Sequence, residues 1–150
     1  MKIVMGADHG GYSLKNVLRD YLTEQGHAVT DLGCQGERVD YPDYGRMVGE
    51  AVMAGEADYG VCVCGTGIGI SIAVNKVPGI RGALCTNEYE AMMTRKHNDA
   101  NVLVLGGRVV GEELAKDIAR VFFSTDFEGG RHQHRLDQIA AIEAKYSQSH

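Results

Sequence analysis

The run Tyr59-Gly60-Val61-Cys62-Val63-Cys64 carries no charge and passes without a spacer into Gly65-Thr66-Gly67-Ile68-Gly69. A strand with one wet face alternates apolar and polar residues. A continuous uncharged run that ends in glycines fits a strand covered on both faces, as in a parallel sheet between helix layers. Parallel strands need long crossovers, so helices must alternate with strands along the chain. The remaining periodicity agrees. Ile3 to Ala7, Ala28 to Leu32, Ile80 to Cys85 and Asn101 to Leu105 read as further strands. Between them, Leu14, Val17, Leu18, Tyr21 and Leu22 recur at helical spacing, as do Tyr44, Met47, Val48, Ala51 and Val52. Further helices are expected near Ile68 to Lys76, Glu88 to His97 and Leu114 to Phe122, with a C-terminal helix at about 131–147 after the break "STDFEGG". The expected architecture is a single α/β domain over residues 1–150, a Rossmann-like three-layer α/β/α sandwich around five parallel strands.

At 150 residues and 44% hydrophobic content, the chain can bury one core without disulfides or a structural metal. Its 15 Lys and Arg against 20 Asp and Glu argue against nucleic acid as the main partner. A small anionic ligand would need a local basic pocket. The opening Met1-Lys2-Ile3-Val4-Met5-Gly6 runs straight into a strand pattern and lacks the features of a signal peptide, and no apolar run approaches the ~18 residues of a membrane span. The expectation is a cytoplasmic protein whose four cysteines, Cys34, Cys62, Cys64 and Cys85, are free thiols. Cys62 and Cys64 are spaced C-x-C, so the C-x-x-C of a thiol redox protein is absent.

Ligands of open parallel sheets bind beyond the carboxyl ends of the strands. Those ends carry "ADHGG", with Asp8 and His9, and "CGTGIG", with Cys64 and Thr66. The glycines match neither the dinucleotide fingerprint, because position 70 is Ile70, nor a Walker loop, which needs Gly-Lys-Ser/Thr. What remains is a strand, a glycine turn and a helix start. It serves either as an anion cradle of backbone N–H groups or simply as close strand-to-helix packing. Cys64 at that turn would have its thiolate stabilised, whereas Cys62 and Cys85 read as inert core thiols. In "EGGRHQHR", Arg131 and Arg135 are i and i+4 on one helix face, which makes either a phosphate clamp or a solvated charge patch. His132 and His134 point to different sides of such a helix, and no metal site is expected. In "RKHNDANVLVLGGR", His97 could do no more than cap its helix, and it gains meaning only beside Asn98 and Arg108.

Taken in order, "GADHGG", "DYPDYG", "CGTGIGISIAVNK", "GIRGAL", "RKHNDANVLVLGGRVVG" and "EGGRHQHR" resemble the type B ribose-5-phosphate isomerases and their galactose-6-phosphate isomerase relatives, from Met1 to about Tyr146. The resemblance implies a cofactor-free and metal-free aldose–ketose isomerisation of ribose-5-phosphate to ribulose-5-phosphate through an enediolate. It assigns Cys64 as the base and His97 to ring opening, with Thr66 assisting at the carbonyl end. Asp8, His9 and Asn98 would hold hydroxyls. Arg108, Arg131 and Arg135 would hold the phosphate, with a further contact from His9. Elementary chemistry agrees, since a thiolate can move a proton next to a carbonyl, and the N–H groups of Gly65, Thr66, Gly67, Ile68 and Gly69 can hold the oxyanion that develops. A six-carbon substrate, such as allose- or galactose-6-phosphate, and a non-catalytic sugar-phosphate-binding module remain the alternatives.

One geometric expectation follows from the helix that ends at His97. From Glu88, at 1.5 Å per residue, it carries His97 about 15 Å from the sheet edge where Cys64 sits. If His97 opens the ring, a neighbouring chain must supply it, together with Asn98 and Arg108. That makes the expected unit a homodimer with shared active sites; the resemblance also implies a dimer and permits a tetramer.

Overall fold

A computed structural model describes residues 1–147, in which strands and helices alternate from β1 (Lys2–Ala7) and α1 (Tyr12–Glu24) to β2 (Ala28–Asp31) and α2 (Tyr41–Met53). β3 (Tyr59–Cys64), α3 (Ile68–Val74), β4 (Gly82–Leu84), α4 (Glu88–Asn98), β5 (Val102–Gly106), α5 (Glu112–Ser124) and α6 (Arg131–Ser147) follow. Residues 148–150, the end of the expected domain, lie outside the described residues. All pairings are parallel, in the order β2-β1-β3-β5-β4.

The uncharged β3 run is explained by cover on both sides. Val61 and Val63 join Leu14, Leu18 and Leu22 of α1, Ala91 of α4 and Ile118 and Phe122 of α5 in one core. Cys62 and Cys64 point the other way, into a second core with Val48 and Val52 of α2 and Ile70 and Val74 of α3. The expected three layers are therefore present. α6 is the addition: it packs on α4, buries only His132 and Leu136, and leaves Ile139, Ile142 and Tyr146 exposed. Among the described residues no helix is long and apolar enough to cross a membrane.

β4 is shorter than the expected Ile80 to Cys85. It is an edge strand whose first backbone groups are taken by side chains: Asn101 Oδ1 accepts from Arg81 N at 2.7 Å, and the Asn75 amide bonds Gly82 N and O at 2.8 and 3.1 Å. Those side-chain bonds satisfy groups that strand pairing leaves open, while Arg81 O accepts from Asn101 N at 3.0 Å.

From β1 the chain moves outward to β2 and then returns past β1 to β3, so strand order reverses at the β1/β3 boundary. Register places Ala7 opposite Val63 and Cys64 opposite Gly106, which brings the carboxyl ends of β1, β3 and β5 side by side.

Lys15 of α1 is wholly buried, and its Nζ donates to both Asp31 oxygens at 2.7 and 2.6 Å and to Asn16 Oδ1 at 3.0 Å. Burial disfavours charge on Asp31, but hydrogen bonds from Lys15 and the Gly33 N–H outweigh it and hold the carboxyl below its usual value. Removing one partner of such a pair strands the other. Lys15→Met should therefore lower the unfolding free energy in urea at neutral pH by roughly 2–4 kcal/mol, with Arg19 left as the remaining cation on Asp31. Because the folded carboxyl titrates below the unfolded one, its contribution is complete above about pH 4 and is lost as pH falls through the lowered folded value. Acid titration of Asp31→Asn should accordingly show a shallower loss of stability than the parent below about pH 4.

Candidate active site

Cys64 closes β3 almost out of contact with solvent, and its Sγ accepts a hydrogen bond from Gly67 N at 3.2 Å. That bond depends on the turn after the strand. Gly67 has φ +80°, and a Cβ there would lie 2.6 Å from Leu84 Cδ1 and 2.9 Å from Gly106 N, so only glycine bends the chain back over the thiol. Thr66 is exposed, and its Oγ1 accepts from Ile68 N at 3.2 Å. The expected five-donor cradle is thereby reduced. Gly67 and Ile68 N–H groups are already engaged, leaving those of Gly65, Thr66 and Gly69 without hydrogen bonds among the described residues. Cys62, one pleat back on the same face, is fully enclosed, and burial pushes its thiol far up. Burial likewise raises Cys85 to about 12.

Two loops flank this turn. From β1, Asp8 is buried, Asp8 N donates to Val63 O at 3.3 Å, and the Asp8 carboxylate accepts from Gly10 N at 2.9 Å. His9 is exposed beside them, with Nδ1 3.4 Å from Val39 N. From β5, Gly107 N donates to Cys64 O at 2.8 Å and Arg108 N to Gly65 O at 2.9 Å. The Arg108 guanidinium lies over Gly65, with Nη1 2.8 Å from where a Cβ would be. The loops that carry Asp8 and His9, Cys64 and Thr66, and Arg108 thus lie against one another.

His97, Asn98, Arg131 and Arg135 form a second locus. They line a cavity of about 360 Å³ with His132, Leu136 and Ile139. Buried Arg95 fixes the helix end that carries His97 and Asn98: its Nη1 bonds Asp99 Oδ1 and Ala100 O at 2.8 Å each, holding the left-handed residue Asp99 that ends α4 just after Asn98. Glu128 N donates to Lys96 O at 3.1 Å, which draws the start of α6 onto that helix end. The His97 and His132 rings stack at 4.2 Å and 14°, with Glu128 Oε1 3.9 and 3.4 Å from their respective Nε2 atoms. Burial, His97 and Arg131 push the His132 ring below its usual value, against a weaker pull from Glu128.

The sequence weighs His132 only beside His134 and gives Glu128 no role; i, i+4 spacing links His132 to Glu128, and nothing in the sequence joins either to His97. The ligand atoms of His97, Glu128 and His132 all lie within 4.8 Å of one another, a grouping able to approach a cation. Parallel rings cannot both aim their lone pairs at one ion, and the two arginines favour an anion instead.

The two loci occupy opposite edges of the sheet. Asn98 O accepts from Arg81 Nε at 2.9 Å, and Arg81 immediately precedes β4. Cys64 stands opposite Gly106, at the far end of β5. From Val102 to Gly106 is four residues, about 13 Å at 3.3 Å each. His97 therefore cannot meet Cys64 of its own chain. Arg108 departs from expectation: it stands with Cys64 and not with His97 and Asn98, because β5 itself carries the chain from one edge to the other between Asn98 and Arg108.

A sequence model of the Ribose/Galactose Isomerase family matches residues 3–139. Ribose-5-phosphate isomerase B of Escherichia coli (strain K12) is 50% identical over 145 residues, 96% of this chain and 97% of that one. The solved Clostridium thermocellum Ribose-5-Phosphate Isomerase B shares 56% identity at a TM-score of 0.96, covering 97% of this chain and 99% of that one. The Mycoplasma genitalium Ribose-5-phosphate Isomerase B, solved with bound ribulose-5-phosphate, is 38% identical at a TM-score of 0.90, over 95% and 96% of the two chains. The family match runs from Ile3 in β1 to Ile139 within α6 and so spans both loci. At this identity and coverage, shared descent accounts for fold and sequence together, and the chain belongs to the Ribose/Galactose Isomerase family.

Proposed function

We propose that the chain interconverts ribose-5-phosphate and ribulose-5-phosphate through an enediolate, in a homodimer whose two sites each draw on both chains. The observation that carries the chemistry is the Cys64 thiol, held beneath a glycine turn beside uncommitted N–H groups and the Arg108 guanidinium. The Escherichia coli and Mycoplasma genitalium relatives support the substrate. Cys64 as thiolate takes the proton from carbon 2. The electron pair moves into the carbon–carbon bond, and negative charge develops on the carbonyl oxygen, where Gly65, Thr66 and Gly69 N–H groups act as donors. Return of the proton to carbon 1, with the hydroxyl proton moving from oxygen 2 to oxygen 1, completes the ketose. The atoms balance without an added oxidant or reductant.

Before that step the sugar ring must open, and His97 is the proposed acid/base. Arg131 and Arg135 beside it, and Arg108 beside Cys64, are the proposed phosphate contacts, with Asp8, His9 and Asn98 on hydroxyls. Because these groups stand at opposite sheet edges within one chain, one substrate can touch both sets only where a second chain presents its His97 edge to the first chain's Cys64 edge. Exposed Ile139 and Ile142 on α6, and Ile68 and Ile72 on α3, supply apolar surface for that contact. The four free, buried cysteines suit a reducing compartment, and we assign the protein to the cytoplasm.

A coupled assay with ribose-5-phosphate, allose-6-phosphate and galactose-6-phosphate tests the substrate, and the highest kcat/KM should fall on the pentose. Loss of the base should cost kcat about 10²–10⁴-fold in Cys64→Ala, while calorimetric affinity for the sugar phosphate changes little. Cys62→Ala should stay active, and the reverse pattern would remove Cys64 from the mechanism. Arg131→Ala or Arg135→Ala should raise KM about ten- to a hundred-fold, the effect of losing one charge-assisted contact to an anion. Sharing of sites has its own test. Inactive Cys64→Ala and His97→Ala chains, unfolded and refolded together, should recover about a quarter of parent activity, since half the dimers are mixed and each holds one intact site of two. Reassorted dimers with no activity would exclude sharing.

A further inference from the structure

The buried Lys15–Asp31 pair has no part in the proposed chemistry, yet Asp31 holds the start of the segment that reaches His9. Asp31 Oδ1 accepts from Gly33 N at 2.8 Å, and Asp31 Oδ2 accepts from Gln35 Nε2 at 3.3 Å. The segment is also stitched to β1, where Ala7 N donates to Gly33 O and Cys34 N to Ala7 O, each at 2.9 Å. Midway, Gly36 rests on the Tyr12 ring so closely that a Cβ would lie 3.0 Å from Cζ. Gln35 N donates to Glu37 Oε2 at 2.8 Å. The segment ends with Val39 N pointing at His9 Nδ1 across 3.4 Å, just before α2 begins.

A backbone amide can only donate. A ring nitrogen that accepts from it must carry the lone pair, so in the neutral ring the proton belongs on the other nitrogen. Among the described residues Nε2 of His9 has no hydrogen-bond partner. An Nε2–H group is a donor, suited to a phosphate or hydroxyl oxygen, whereas a bare Nε2 would set lone pair against lone pair.

We propose that residues 33–39 act as a strap, anchored through Asp31 to buried Lys15, which fixes the tautomer of His9 so that Nε2–H is presented to the sugar phosphate. The inference rests on the proposed substrate for what the donor meets, but not for the tautomer itself. Val39, Asp31 and Lys15 are positioning residues here, acting through His9. A loop that only packed against His9 would leave the two tautomers mixed.

Ring-nitrogen NMR of the full-length ¹⁵N-labelled protein reads the tautomer directly, at about pH 8.5, two units above the usual histidine value. His9→Gln identifies the His9 signals by their loss. The neutral Nε2–H pattern is expected, and an Nδ1–H or averaged pattern overturns the proposal. Val39→Pro removes the amide donor, while Val39→Ala keeps it. With folding verified by circular dichroism and melting, Val39→Pro should average the His9 tautomers and raise KM for ribose-5-phosphate about three- to ten-fold, with kcat within about two-fold. Val39→Ala should match the parent. A folded Val39→Pro protein with parental KM and parental tautomer overturns the proposal. If that variant does not fold, the parent spectrum decides alone. An inactive parent with the Nε2–H form would sink the isomerase reading and leave the strap standing, and an active parent with the Nδ1–H form would do the reverse.

Discussion

The site depends on how closely three strand ends approach one another. Gly11 lies so near the Val63 carbonyl that a side chain there would enter it. On the other side, Gly107 N and Arg108 N bond Cys64 O and Gly65 O, at 2.8 and 2.9 Å. These are contacts between backbones, with no side chain in between, and they bring the loops after β1, β3 and β5 together as one surface. Cys64 gains its surroundings from that surface: the turn that returns Gly67 N–H to sulfur, the guanidinium laid over Gly65 and the Asp8 loop beside Val63. A side chain at Gly11, Gly67 or Gly107 would push these loops apart and displace the donors proposed to act in catalysis.

The same economy applies to the second locus, by different means. No glycine turn assembles His97, Arg131 and Arg135. A buried arginine stops α4 at Asp99, and one backbone bond from Glu128 to Lys96 sets the start of α6 across that helix end. The charge pattern then divides the molecule usefully. A chain with a net charge of −5 still sets Arg108 at one locus and Arg131 and Arg135 at the other, where an anion is proposed to bind. In the proposed shared site neither place is complete without the other, and within one chain the length of β5 keeps them apart.

The sequence made the sheet legible because its signals are local. Uncharged strand runs, helical spacing and glycine stops each concern a few neighbouring residues, and the expected strands and helices all appear, with β4 starting late where side chains bond Arg81 and Gly82. The placement of Cys64, Asp8 and Thr66 at the carboxyl ends of β1 and β3 was likewise readable, since it follows from where each strand run stops. His132 and Glu128 were not, because their meaning comes from a ring stack with a residue on another helix. The donor inventory was also too generous, since a count of N–H groups in a turn does not show which are spent on Cys64 Sγ and Thr66 Oγ1.

By itself, the sequence determined the alternation of strands and helices, the thiol at a glycine turn and the family. All are carried by short-range pattern or by residue identity. Only the tertiary structure decided that β5 lies between β3 and β4, that Arg108 therefore stands with Cys64, and that Asn98, ten positions earlier, stands at the other edge. The physical reason is that strand order is chosen by packing two cores at once, a condition on the whole chain that no local window contains. A strand five residues long then separates what sequence proximity had joined.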